Sequence, residues 1–302
     1  MTTGAGRRER DTSALSRRGF LAAAGGALVA VAAACSSKSS GAGAGGRTST
    51  GVRANGLNAG VLSIEPYVSP TPERFAFTLQ DDSGNFKAGP DCTLSLQPPG
   101  GAAGPAMATA LHAQGLPKGR GVYVVDTPLA PAGIWAGLVR MPGHPDADLH
   151  FEVTASPQVP VVGAAALHTP SPTTTNTMGV NPLCTRQPAC DLHTVSLDTA
   201  LASGKPVAVM FATPARCQSR YCGPVLDQLL SVQDAYRDRV TMIHVEIYKD
   251  STSNDLVPTV DQWHLPGEPW LFGIDRTGKV TGRLDGAFGT DEVRALLDKI
   301  AA

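Results

Sequence analysis

Hydrophobic and polar positions follow two different rules along this chain. Between residues 57 and 158, apolar side chains recur at every second position in short runs. That spacing predicts β-strands at 74–80, 93–97, 106–112, 121–126, 133–140 and 149–154, with 60–64 as a weaker first strand. Turn-forming groups fall between the runs: Asp82-Ser83-Gly84, Pro98-Pro99-Gly100-Gly101, Pro117-Lys118-Gly119 and Pro142-Gly143. Short strands so punctuated predict a small all-β sandwich. Its inward candidates are Phe75, Phe77, Leu94, Leu96, Val122, Val124, Trp135, Leu138, Phe151 and Val153.

From residue 181 the pattern changes to continuous apolar runs alternating with helix-spaced ones. Strands are predicted at 207–211, 240–247, 270–274 and 279–284, and helices at 197–202, 225–236 and 291–300, with a helical turn at 260–263. Ser196 and Thr290 stand where N-caps belong, and Gly204 where the first helix should stop. The predicted order is β-α-β, then a β-hairpin, then α. Residues 159–180 carry Pro160, Pro170, Pro172 and a threonine run, which predicts a linker between the two domains.

The N-terminus is organised differently again. Arg7, Arg8, Arg10, Arg17 and Arg18 precede an Ala/Gly/Val-rich run from Phe20 to Ala34, and Ser16-Arg17-Arg18-Gly19-Phe20-Leu21 resembles a twin-arginine export motif. The run is shorter than the ~20 residues a spanning helix needs, so it fits a signal region. Val31-Ala32-Ala33-Ala34-Cys35 resembles a lipobox, with Ala32 where leucine is usual. Residues 1–35 are therefore expected to be a lipoprotein signal ending at a lipidated Cys35. Residues 36–56, mostly Ser, Gly, Ala and Thr, are expected to be a flexible tether. The expected location is the extracytoplasmic face of a bacterial cell membrane.

Composition adds mainly exclusions. With 25 Lys and Arg against 26 Asp and Glu among 302 residues, the net charge is −1, and no basic stripe points to nucleic acid. Outside the cytoplasm, the cysteines remaining after Cys35 (Cys92, Cys184, Cys190, Cys217 and Cys222) are an odd number in an oxidising compartment. The last four admit three pairings. Proximity favours a structural Cys184–Cys190 disulfide and a Cys217–Cys222 pair, leaving Cys92 as a buried small hydrophobe. A metal knuckle at Cys184 and Cys190 lacks further ligands at useful spacing. Met141, His144 and His150 bracket a turn and read as surface residues.

The candidate chemistry lies in Arg216-Cys217-Gln218-Ser219-Arg220-Tyr221-Cys222-Gly223-Pro224, between a predicted strand and a predicted helix. A thiol at a helix N-terminus beside two arginines is favoured as thiolate, the nucleophile of disulfide exchange. These residues, with Glu268-Pro269 ahead of the hairpin and its Arg276-Thr277-Gly278 turn, resemble the thioredoxin-like family over about 206–302. Within it the likeness is to the membrane-anchored thiol-disulfide oxidoreductases of the TlpA and ResA kind. The resemblance implies an α/β thioredoxin-like domain at 181–302, and the strand spacing ahead of it an all-β, immunoglobulin-like sandwich domain at 57–158. It implies a thiol-disulfide oxidoreductase with Cys217 and Cys222 as catalytic pair and Pro269 as a cis-proline positioning substrate beside Glu268. The implied partners are protein thiols or disulfides and a membrane electron donor or acceptor, without cofactor or metal.

The chain departs from the family in two respects. Four residues, not two, separate the cysteines, and Tyr221-Cys222-Gly223-Pro224-Val225 resembles the family motif with its second cysteine replaced by Val225. Two assignments remain open: Cys217 attacks and Cys222 resolves, which the flanking arginines favour, or the reverse. A carboxylate at Glu268 opposes thiolate formation or accepts its proton. Two other functions also remain open, a copper-binding metallochaperone using the dithiol with His264, and a non-catalytic binding lipoprotein with structural disulfides.

Overall fold

A computed structural model of the chain describes residues 49–50, 56–89, 91–217 and 221–302. The signal, the twin arginines and Cys35 lie outside the described residues, and no helix among those described is long and apolar enough to cross a membrane.

The first ten strands are β1 (Ser49–Thr50), β2 (Leu57–Val61), β3 (Ser69–Asp81), β4 (Phe86–Lys87), β5 (Thr93–Gln97), β6 (Met107–Ala108), β7 (Ala110–His112), β8 (Val122–Leu129), β9 (Gly133–Arg140) and β10 (Ala147–Val153). They form two antiparallel sheets, β1-β10-β9-β5-β6 and β2-β3-β8-β7, with β4 on β3. Phe75, Phe77, Leu94, Tyr123, Trp135, Leu149 and Phe151 fill the space shared by the two sheets. The strand predicted at 106–112 is two strands on different sheets. It breaks at Thr109, whose N–H and hydroxyl both donate to the Cys92 carbonyl.

Three of the predicted inward residues need correction. Leu138 is only half-buried, and its neighbour Val139 is the residue turned into the sandwich core. Val122 and Val124 are buried, but on the outer face of β8, in a second core shared with the C-terminal half of the chain. Tyr123 and Val125 take the inner face. A strand covered on both sides hides its polarity pattern, so alternation alone picks the wrong parity.

The C-terminal half contains α1 (Leu197–Ala202), β11 (Val207–Phe211), α2 (Cys222–Tyr236), β12 (Thr241–Val245), α3 (Pro258–Gln262), β13 (Trp270–Ile274), β14 (Val280–Asp285) and α4 (Thr290–Ala301). The sheet order is β12-β11-β13-β14, with β11 parallel to β12 and antiparallel to β13. This is the predicted β-α-β, hairpin, α sequence. On β11, Val207, Val209 and Phe211 face α1 and α3, while Ala208 and Met210 face α2 and α4. Both faces are covered, which is why the run is continuously apolar. α2 begins three residues before its predicted start. Pro224 is accommodated in the first turn, where its missing N–H has no helical partner to lose. Thr290 is the first residue of α4 and Gly289 its N-cap, with the Glu292 carboxylate accepting the Gly289 N–H at 3.1 Å.

Residues 159–180 do not behave as the predicted linker. Gly163 and Ala166 donate to the carbonyls of Val280 and Gly278 at 2.8 Å, extending the sheet beyond β14. Val159, Ala166 and Val180 enter the core under β11 and β13, and the Trp263 indole donates to Thr169 at 2.9 Å. Pro and Thr here fix an extended, hydrogen-bonded strap.

The described residues belong to one compact unit. Ala76, Leu116, Val122 and Val124 of the β-sheet region share a core with Val225, Leu226, Leu229, Phe288 and Val293. Arg74 Nε meets the Glu292 carboxylate at 2.8 Å, its other nitrogens donate to the Asp285 and Ala287 carbonyls, and both partner side chains are about nine-tenths buried. Gly286, at φ 70°, lies so close to Leu62 that a Cβ there would fall 1.9 Å from the Leu62 oxygen.

Candidate functional site

Cys217 and Cys222 are joined as a disulfide with Cα atoms 5.8 Å apart. Cys222 opens α2 and is fully buried, whereas Cys217, in the preceding loop, is partly exposed. The Cys222 N–H donates to Cys217 Sγ at 3.2 Å. Cys217 sulfur thus occupies the capping position of a 15-residue helix whose N-cap residue, Tyr221, supplies no side-chain cap. A negative charge on that sulfur in the reduced pair would stand at the positive end of the helix dipole.

Arg216 does not supply the charge expected of it. Its guanidinium reaches away from the disulfide to the carbonyls of Asp250 and Ser253 and to Asn254 Oδ1, and it stacks 4.3 Å from the Tyr248 ring. Arg220 lies outside the described residues. Among the described residues, the Cys222 N–H is the group that donates to the Cys217 sulfur.

The Glu268–Pro269 peptide is cis. Glu268 accepts the Thr213 N–H at 2.6 Å, and a carboxylate oxygen lies within 4.8 Å of both dithiol sulfurs. Burial pushes its pKa up to about 7, with the nearby Glu246 adding to the rise, against the Thr213 amide, Arg216 and His244. A carboxyl group that changes charge near neutrality therefore stands beside the disulfide. On the other side, the buried Tyr221 packs edge-on to Phe86 of β4 at 6.1 Å, and Arg120 lies over both rings at 4.5 and 5.5 Å.

The expected Cys184–Cys190 disulfide is absent: both are free thiols with Sγ atoms 3.7 Å apart. Each sulfur is turned toward imidazoles. Cys190 Sγ is 3.4 Å from His193 Nε2 and 3.4 Å from His244 Nδ1, and Cys184 Sγ is 3.8 Å from His244 Nδ1. His244 comes from β12, 54 residues after Cys190, so proximity in sequence identified the wrong partner. Its Nε2–H donates to the Ala212 carbonyl at 2.9 Å, leaving the Nδ1 lone pair toward the sulfurs. The contact between the two thiols lowers the Cys184 pKa and, with burial, raises that of Cys190. The only local signal for this cluster was Cys190 followed three residues later by His193. His244 sits in an apolar strand and gives no sign of its role.

Other sequence candidates stay apart. His264 is exposed at φ 53° and is not among the groups that converge with the dithiol, so the copper reading loses its third ligand. Cys92 is buried in the sandwich core, and burial pushes its thiol up to about 11. His144 and His150 are exposed, but Met141 is a core residue. Cys35 again lies outside the described residues.

No family model and no curated protein matches the sequence. Among solved structures, one from Chlorobium tepidum is provisionally described as a thiol:disulfide interchange protein, DsbE. It is 15% identical at a TM-score of 0.35, over 47% of this chain and 99% of that one. A thioredoxin-family thiol:disulfide interchange protein from Chlorobium tepidum TLS is 18% identical at a TM-score of 0.29, over 46% and 100%.

Proposed function

We propose that this protein is a thiol-disulfide oxidoreductase in which Cys217 is the attacking thiol and Cys222 the resolving one. The observation that carries the reading is the asymmetry of the pair: a partly exposed Cys217 sulfur accepts the first amide of α2, while Cys222 is fully buried behind it. In the reducing direction, the Cys217 thiolate attacks a substrate disulfide, forming a mixed disulfide and releasing one substrate thiolate. Cys222 then attacks Cys217 Sγ, the mixed bond breaks, and the second substrate sulfur leaves. Two electrons pass to the substrate and the Cys217–Cys222 bond is restored. Glu268, with a pKa near 7 and within reach of both sulfurs, takes the proton that Cys222 must lose before it attacks. The opposite direction reverses each step.

We further propose that Cys35 carries lipid and holds the protein on the extracytoplasmic face of a bacterial membrane. There a membrane electron carrier would reset the dithiol and protein thiols or disulfides would be the substrates. The support is the basic start, the apolar run and the Cys35 sequence itself.

The division of labour is tested by trapping. Cys222→Ser should accumulate a mixed disulfide with a disulfide substrate, and Cys217→Ser should not. Trapping only through Cys222 would reverse the roles. No trapping by either variant, with a native bond that resists dithiol reductants, would leave a structural staple.

A further inference from the structure

We propose that Cys184, Cys190, His193 and His244 form a four-coordinate site for a zinc-class divalent cation. All four ligand atoms lie within 4.8 Å of one another. The thiol sulfurs are 3.7 Å apart, and Cys184 interacts with both histidines. Cys190 is 3.4 Å from each imidazole, and the two rings have centroids 4.9 Å apart. Four edges of a tetrahedron are thus given directly, and the other two, Cys184 to His193 and His193 to His244, are no longer than 4.8 Å.

The lengths decide what the tetrahedron is for. With metal–sulfur bonds of ~2.3 Å and metal–nitrogen bonds of ~2.05 Å, tetrahedral angles place two sulfurs about 3.8 Å apart and a sulfur and nitrogen about 3.6 Å apart. The observed edges are 3.7 Å between sulfurs and 3.4, 3.4 and 3.8 Å between sulfur and nitrogen. A disulfide would bring the sulfurs to about 2.05 Å. Two thiolates and two imidazoles suit a borderline-soft ion without geometric preference. Binding moves no electrons: any proton still held by either sulfur leaves for solvent, and the two thiolate charges neutralise the 2+ ion, so the buried site carries no net charge.

The surroundings fit a closed, structural site. His244 is fully buried, His193 is 3% exposed and Cys184 7%. His244 has the outer hydrogen bond expected of a ligating imidazole, from Nε2 to the Ala212 carbonyl at 2.9 Å. His193 Nδ1 is buried without a hydrogen-bond partner, so its ring is organised around the sulfurs at Nε2. Three of the ligands sit on residues 181–196, which form neither helix nor strand. The loop reaches the sheet through the His244 N–H, donated to the Leu192 carbonyl at 2.9 Å, and a cation bound by all four side chains would fasten it to β12. The same His244 grips Ala212, next to the Thr213 amide that holds Glu268. The site is independent of the redox assignment, which uses neither these thiols nor these histidines.

The test uses the whole mature chain, reduced, freed of metal and then titrated with Zn²⁺ or Co²⁺ alone. One ion per chain should bind. The cobalt form should show the strong visible bands of a tetrahedral ion with sulfur-to-cobalt charge transfer, and thermal unfolding should move up on binding and fall again with a chelator. Cys190→Ser and His244→Ala should lose the ion, while Cys217→Ser keeps full stoichiometry. Circular dichroism confirms that each variant is folded, and the wild-type cobalt spectrum stands without them. The assignment is overturned if the folded reduced chain binds neither ion, takes Cu⁺ but excludes both, or loses metal in Cys217→Ser. Recovery of a metal-free Cys184–Cys190 disulfide as the native form would overturn it equally.

Discussion

Replacing Glu268 by Gln removes one charge and leaves the shape, which isolates what a carboxyl group does beside the dithiol. In the disulfide form burial already pushes Glu268 up to about 7. Reduction adds a Cys217 thiolate within 4.8 Å. At that distance and an effective dielectric of about 20, two like charges repel by about 3.5 kcal/mol, or about 2.5 pK units. Water at the exposed side of Cys217 reduces this to about one unit. The reduced pair should therefore share a proton near neutral pH and titrate in two linked steps. Alkylation rate against pH, or thiolate absorbance, should show two inflections in the wild type. Glu268→Gln should show one, with the Cys217 thiolate appearing about one unit lower. Resolution by Cys222 should slow in the same variant, because Gln takes no proton. The folded pKa exceeds the unfolded one, so the neutral carboxyl stabilises the fold fully below about pH 4.5, and that stability is lost as pH rises through about 7. Glu268→Gln should flatten this slope. Superimposable alkylation profiles for wild type and variant would refute the reasoning.

Three further outcomes are expected. Arg74→Ala should lower unfolding stability by about 3–5 kcal/mol in urea titration, because it leaves Glu292 and Asp285 as uncompensated, mostly buried carboxylates. Gly286→Ala should destabilise by at least about 2 kcal/mol in the same assay, since φ of 70° is strained for alanine and its Cβ would strike the Leu62 oxygen. Cys35→Ala should move the protein from membrane to soluble fraction on cell fractionation; retention on the membrane would remove the lipid anchor.

The elements that could be read from sequence were those whose apolar run was unbroken. The strand Val207–Phe211 and the strand Trp270–Ile274 were predicted with the bounds observed, because both are continuously apolar and both are covered on two faces. The dithiol was legible for a similar reason: two cysteines between such a strand and a helix occupy a predictable place. What escaped depended on contacts between distant residues. Nothing in Val122 or Val124 announces that a second core covers their outer face, and the strap at 159–180 has the composition of a linker while its backbone pairs with β14. The thiol–imidazole cluster is the sharpest case. Its fourth member comes from a strand where His244 interrupts an apolar run, so its partners are visible only once β12 lies against the loop that begins at Asn181.

The contacts around α2 also change what the β-sheet region does for the dithiol. A spacer would leave the start of α2 open, yet Phe86 and Arg120 stack on Tyr221, the residue immediately before Cys222, and Ala76, Leu116, Val122 and Val124 pack into the same core as Cys222 and Val225. The buried sulfur is therefore sealed by residues from both halves of the chain. Cys217 packs against the edge of the same core and stays partly exposed, the less buried cysteine of the pair. In the exchange proposed above, the partly exposed Cys217 is the sulfur an incoming thiol or disulfide would meet first. The Arg74–Glu292 pair holds the same two halves together from the far end of α4's first turn. Loosening that interface should expose Cys222 as well as reduce stability, so the asymmetry of burial between the two cysteines is a property of the whole unit and not of the cysteine loop alone.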